Sequence, residues 1–84
     1  MDNKVLVNVY VPIIEEEYDV WIPICKRVDT VIVLLVKAIA DLSGGSYNPS
    51  KIPLLYDRIT AECYDEKDIL KKTNIKNGSK LILI

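Results

Sequence analysis

One segment of the chain, from Asp29 to about Leu42, carries helical spacing over a length that suits a main helix, while the segments around it alternate like strands. One helix among strands points to an α+β arrangement. At 84 residues the chain has room for one domain, taken as residues 1–84. A domain of that size buries only about 60% of the surface its unfolded chain exposes, so its stability is modest.

Lys4 to Val11 reads as the first strand, with Val5, Val7, Val9 and Val11 on one side and Leu6, Asn8 and Tyr10 on the other. After Pro12 and a turn at Glu15-Glu16-Glu17, Tyr18 to Ile24 alternates again, with Val20, Ile22 and Ile24 on one face, which predicts a β-hairpin. Three consecutive glutamates without other liganding residues read as a solvated turn, not a cation site. Trp21 points away from the Val20, Ile22 and Ile24 stripe. It is read as a cross-strand packing partner of Tyr10 or Tyr18, with a binding role as the alternative.

Asp29 suits the N-cap of the helix, and Ser43-Gly44-Gly45-Ser46 ends it, since glycine accepts the left-handed conformation that closes a helix. A phosphate-cradling loop would precede a helix, whereas this glycine pair follows one. At about 100° per residue, Val31, Leu34, Leu35, Ala38 and Leu42 fall together and should cover the sheet. Ile32 lies at the margin of that stripe, and Val33, Val36 and Ala40 lie opposite, where a surface helix is normally polar. Ile32, Val33, Val36 and Ala40 are therefore candidate partner-binding residues on an outer helix face, with tolerated exposed aliphatics as the alternative.

Asn48-Pro49-Ser50 leads into a third strand, Ile52 to Tyr56, followed by a turn at Asp57-Arg58 and a short strand near Glu62 to Tyr64. Asp65 opens a brief helix through Lys71. Asn77-Gly78 is a strong turn signal, and Lys80 to Ile84 closes the sheet.

Composition narrows the function. The net charge of -1, from 11 basic and 12 acidic residues, gives no electrostatic footprint for nucleic acid. The 50% hydrophobic content is high for so small a domain, and surplus apolar surface commonly ends against a partner. The longest apolar run, Val31 to Val36, is far short of the roughly 20 residues that span a bilayer, and residues 2–7 do not read as a signal peptide. A cytoplasmic protein without direct membrane insertion is expected. Cys25 and Cys63 are too few and too far apart in sequence to be a disulfide framework, so reduced thiols are expected. No histidine is present, which removes the commonest base and metal ligand. Cys25 beside Lys26 and Arg27 is a reactive-thiol candidate, but it lacks a base and an oxyanion motif. No catalytic, cofactor or metal site is expected.

The strand and helix order resembles the ubiquitin-like β-grasp, which implies an α+β fold with one main helix lying across one face of a mixed sheet. Val28-Asp29-Thr30-Val31 looks like the helix start of ubiquitin, Leu54-Leu55-Tyr56 like its third strand, and Asn74-Ile75 like the dipeptide before its last strand. The resemblance implies that Leu70 and Ile75 plug the core just before the final strand. It also implies that Leu54, Leu81 and Leu83 point inward. Leu55, Ile82 and Ile84 would then form an apolar sheet patch, in the region where ubiquitin binds most of its partners.

Within that fold the chain is most similar to the small bacterial YukD family, found with type VII secretion systems in Firmicutes. The close Leu-x-x-x-x-Ile-x-Asn-Gly-x-x-Leu-x-Ile-Leu runs from Leu70 to Ile84, with Leu83-Ile84 varied. Modifiers and sulfur carriers of this fold need a flexible Gly-Gly tail, and the sequence lacks one. The resemblance implies a non-enzymatic, unconjugated accessory component that binds other proteins of a membrane-bound secretion machine, with a homodimer also open. An adaptor unrelated to secretion and a tailless relative of modifiers are the alternatives.

Overall fold

The computed structural model describes residues 3–84. Its strands are β1 (Lys4–Val11), β2 (Glu16–Pro23), β3 (Leu55–Asp57) and β4 (Lys80–Leu83), and its helix is α1 (Val28–Leu42). The sheet order is β2-β1-β4-β3, with β1 and β4 parallel in the middle and both outer pairs antiparallel. The odd-numbered valines Val7, Val9 and Val11 of β1 and Leu81 and Leu83 of β4 are buried, as strand alternation requires. Leu70 and Ile75 join them in the core, as the terminal motif implied.

The hairpin turn is a 3₁₀ turn at Pro12–Ile14 closed by Glu15 in the left-handed region (φ 53°), so Glu16 and Glu17 belong to β2 instead of the turn. Among the described residues, Glu62 to Tyr64 forms only an isolated bridge, Tyr56 with Cys63, in place of a strand.

The expected cap at Asp29 is displaced. Arg27 takes the cap position without a side-chain bond, and Asp29 sits in the first turn, its carboxylate 2.7 Å from the Arg27 guanidinium. The amides of that turn go to a distant loop instead: Val28 N–H donates to Asp68 O (2.8 Å) and Asp29 N–H to Glu66 O (3.0 Å). The same bonds explain why Asp65 to Lys71 forms no helix. Leu70 N–H donates to Lys26 O and Lys71 N–H to Ile24 O, so both ends of the segment's hydrogen bonding face the β2–α1 connection. Only a 3₁₀ turn at Leu70–Lys72 remains.

The helix is also rotated from its expected phase. Val28, Val31, Ile32, Leu35 and Ile39 are buried, whereas Leu34 and Leu42 are exposed. Ile32 is thus a core residue and not part of an outer face. The third strand is shifted in the same sense: Leu55 is fully buried and Leu54 faces out, because Leu54 and Ile84 exchange main-chain bonds (2.7 and 3.0 Å) and set Leu55 opposite Leu83. A one-residue change of register moves every side chain to the other face.

Before β4, Asn77-Gly78 clamps the last turn onto β1. Leu6 N–H donates to Asn77 Oδ1 (2.7 Å) and Gly78 N–H donates to Leu6 O (2.8 Å). Gly78 has φ 87°, and a Cβ there would meet open space. Gly78→Ala should therefore cost about 1 kcal/mol from backbone conformation alone, and Gly78→Asn less, because asparagine tolerates the left-handed region. Urea midpoints of the two variants check the order.

Candidate functional site: an apolar groove beside the β3–β4 end of the sheet

The face of the sheet away from α1 carries Leu6, Asn8 and Tyr10 of β1, Glu17, Asp19 and Trp21 of β2, Tyr56 of β3 and Ile82 of β4, by alternation and register. Its centre is filled by Arg58. That guanidinium donates from Nη2 to Asn8 Oδ1 (2.5 Å) and to Leu81 O (3.2 Å), approaches Glu17 at 3.8 Å, and lies 5.6 Å from the Tyr10 ring centroid. Stacking of a cation on an aromatic face and bonds to two strands hold it in place. Any apolar contact with a partner must therefore use the margins of this face.

One margin is open. Leu54 and Ile84 stand opposite each other on the outer side, since their neighbours Leu55 and Leu83 face the core. Ile13 projects from the β1–β2 turn while its neighbour Ile14 packs inward. Ile52 projects from the segment after α1. These side chains are 36% (Leu54), 62% (Ile84), 76% (Ile13) and 74% (Ile52) exposed. With Tyr47 and Pro49 they border a groove of about 370 Å³. Tyr47 forms its buried wall, and burial pushes its phenol pKa up.

Of the sheet patch expected from sequence, Ile84 lines this groove, Ile82 is half-buried on the outer face, and Leu55 is in the core. Leu54, Ile13 and Ile52 replace it. A sequence signal existed for Ile13: in Pro12-Ile13-Ile14 within a tight turn, only one of two adjacent isoleucines can reach the core. Of the helix set, Val33 is exposed, Val36 is half-buried against the core, Ala40 is half-buried and Ile32 is internal. Val33 and Ile52 border a common hollow with Arg27 and Glu66, so the two surfaces expected separately adjoin at Ile52. Trp21 stands opposite Leu6 across the hairpin, not Tyr10 or Tyr18, and is 58% exposed. Cys25 and Cys63 are exposed and not bonded to each other.

A polar cluster supports the groove's strand from the other side. Asp57, at the end of β3, accepts from Ile59 N–H (2.8 Å), Thr60 N–H (3.3 Å), Asn74 Nδ2 (3.0 Å) and Tyr64 Oη (3.3 Å). The Asn74 amide, foremost, and the Ile59 N–H hold its carboxyl below the usual carboxylate range. Burial, with the Asp57 charge second, pushes the Tyr64 phenol up to about 12. Among the described residues no cluster of His, Cys, Asp or Glu has the arrangement of a metal site, and no helix is long and apolar enough to cross a membrane.

No family model matches the sequence, and no curated protein matches it. Solved structures do. The chain superposes on the EccD5 ubiquitin-like domain from Mycobacterium xenopi with a TM-score of 0.78 at 14% identity, covering 96% of this chain and 92% of that one. The ubiquitin-like domain of the type VII secretion system protein ECCD1 from Mycobacterium tuberculosis gives 0.76 at 12% identity, covering 96% and 97%. A chain of an ESX-5 inner membrane complex gives 0.79 at 14% identity, with 98% of this chain matching 21% of that one. At these identities the likeness is one of architecture, and it establishes that this chain has a ubiquitin-like fold, a mixed sheet grasping one main helix.

Proposed function

We propose that this protein is a non-enzymatic docking module, a cytoplasmic accessory component of a bacterial type VII secretion system that binds other proteins without being attached to them. The observation that carries the reading is the groove bordered by Ile13, Ile52, Leu54 and Ile84, which leaves four large aliphatic side chains in water around one concavity. Apolar surface of this kind gains about 25 cal/mol per Å² when a partner covers it, and a concave site with aliphatic walls favours an apolar anchor inserted from the partner. The secretion context is supported by the likeness to the ubiquitin-like domains of ECCD1 and EccD5 and to part of a chain of an inner membrane complex.

Expression of the tagged chain in its native host, followed by gentle extraction of membranes and cytosol, should co-purify components of the secretion machine. Ile52→Asp should weaken that capture by roughly thirtyfold, the loss of a groove-wall contact with the partner's anchor worth about 2 kcal/mol. Its melting curve should stay unchanged, because Ile52 is largely exposed. Capture that persists in Ile52→Asp would remove the groove as the docking site, and partners unrelated to secretion would leave only a general adaptor. Intact mass after incubation with host extract and ATP should stay constant; higher-mass adducts would reassign the protein to the modifiers.

A further inference from the structure

The other edge of the sheet carries a separate device. β2 is eight residues long and lies at the end of the strand order. Ile24 N–H donates to Asn3 O (2.8 Å), and Val5, Val7 and Val9 stand opposite Ile22, Val20 and Tyr18. In an antiparallel ladder this alternation turns the main-chain groups of the even residues toward β1 and those of Glu17, Asp19, Trp21 and Pro23 outward. No main-chain bond among the described residues reaches these outward groups. Pro23 offers only a carbonyl. An open row of strand donors and acceptors selects an extended strand as its occupant.

We infer that this occupant is a second copy of the same chain, with β2 pairing antiparallel to β2 about a two-fold axis at Val20. In that register Asp19 of each copy exchanges both main-chain bonds with Trp21 of the other. Glu17 N–H meets the Pro23 carbonyl of the other copy, so every outward donor is satisfied and the missing proline amide falls at the end of the ladder. The side chains agree. On the outer face the Trp21 indole N–H stands beside the Asp19 carboxylate of the second copy, which in the monomer accepts, among the described residues, from Asn8 Nδ2 alone (3.0 Å). On the helix side Val20 meets Val20 and Tyr18 meets Ile22, covering the half-buried Tyr18 and Val20. The acidic start, Glu15 to Glu17, comes beside Lys26, just past the strand of the second copy. Neighbouring registers are worse: an axis at Asp19 sets Asp19 directly on Asp19, and like charges directly opposite destabilise a ladder. An axis at Trp21 carries Glu17 past the end of the facing strand. Because β2 and β3 are opposite edges, the groove of each copy stays open at the two ends of the extended sheet.

Sedimentation over a concentration series tests this, with emission of Trp21, the sole tryptophan, as a second readout. The parent should pass from monomer to dimer with an emission shift over the same range. Trp21→Glu sets Glu against Asp19 twice across the axis and should weaken the dimer by roughly tenfold. Adding Asp19→Lys restores an opposite-charge pair and should recover association. Both positions are exposed, and far-UV dichroism of each variant at low concentration should match the parent. A parent that stays monomeric at its highest soluble concentration overturns the proposal, as does a dimer indifferent to Trp21→Glu or one lost and not recovered by the second change.

Discussion

Leu70→Ala should lower stability by about 2 to 5 kcal/mol, the range for truncating a fully buried leucine where the surroundings cannot collapse. Leu70 is completely buried, and its position is fixed from outside: its amide is held by Lys26 O and that of Lys71 by Ile24 O. The 3₁₀ turn therefore cannot move inward to fill the space left behind. The loss also falls on a small domain, whose whole stability at typical values per residue is roughly 4 to 13 kcal/mol. Chemical denaturation should show a large fall in midpoint with little change in slope. A loss below about 1 kcal/mol would mean that the turn does not plug the core. Ile75→Ala, at the other end of the same plug, should fall in the same range.

The second large effect concerns Asp57. Asp57→Ala strips the Ile59 and Thr60 amides and the Asn74 side-chain N–H of their shared acceptor, leaves the Tyr64 hydroxyl with Asn74 Oδ1 (2.7 Å), and should cost about 2 to 3 kcal/mol. The charge also makes stability depend on pH. The carboxyl pKa is lower in the folded chain than the ordinary value near 3.8. Its contribution is thus fully present above that ordinary value and is lost as pH falls through the folded one. Tyr64 acts at the alkaline end. Its phenol is raised from 10.0 to about 12, so its contribution is complete below 10.0 and is lost as pH rises through about 12. Urea midpoints across pH should fall at both ends. Asp57→Asn should flatten the acid limb, and Tyr64→Phe should flatten the alkaline one. An acid limb unchanged in Asp57→Asn would show that other carboxylates carry it.

Strand β1 and its hairpin partner were legible because alternation over eight residues permits only one assignment of faces. The roles of Leu70 and Ile75 were legible only through the resemblance of the closing segment to that of ubiquitin-like domains. The candidate site was less so. In Leu54-Leu55 both neighbours are apolar, and a three-residue strand is too short to show its phase. The main-chain exchange between Leu54 and Ile84 decided it, 30 residues apart in the chain. The helix posed the same difficulty at greater length: Ile32 to Val36 is apolar all round, so no polar face marks the phase.

What the sequence determined by itself was therefore the β-hairpin, the single main helix and the closing strand in their order, since these follow from contacts between near neighbours, whereas the strand expected near Glu62 to Tyr64 and the helix expected from Asp65 did not form. What only the tertiary structure decided was phase and register: which side of α1 is buried, which of two leucines faces the core, and where Arg58 comes to rest. Those choices depend on hydrogen bonds from Val28 and Asp29 to the Glu66–Asp68 loop and from Arg58 to Asn8 and Leu81. Local periodicity cannot encode them, because each joins backbone or side-chain groups far apart in the chain whose pairing exists only once the sheet has formed.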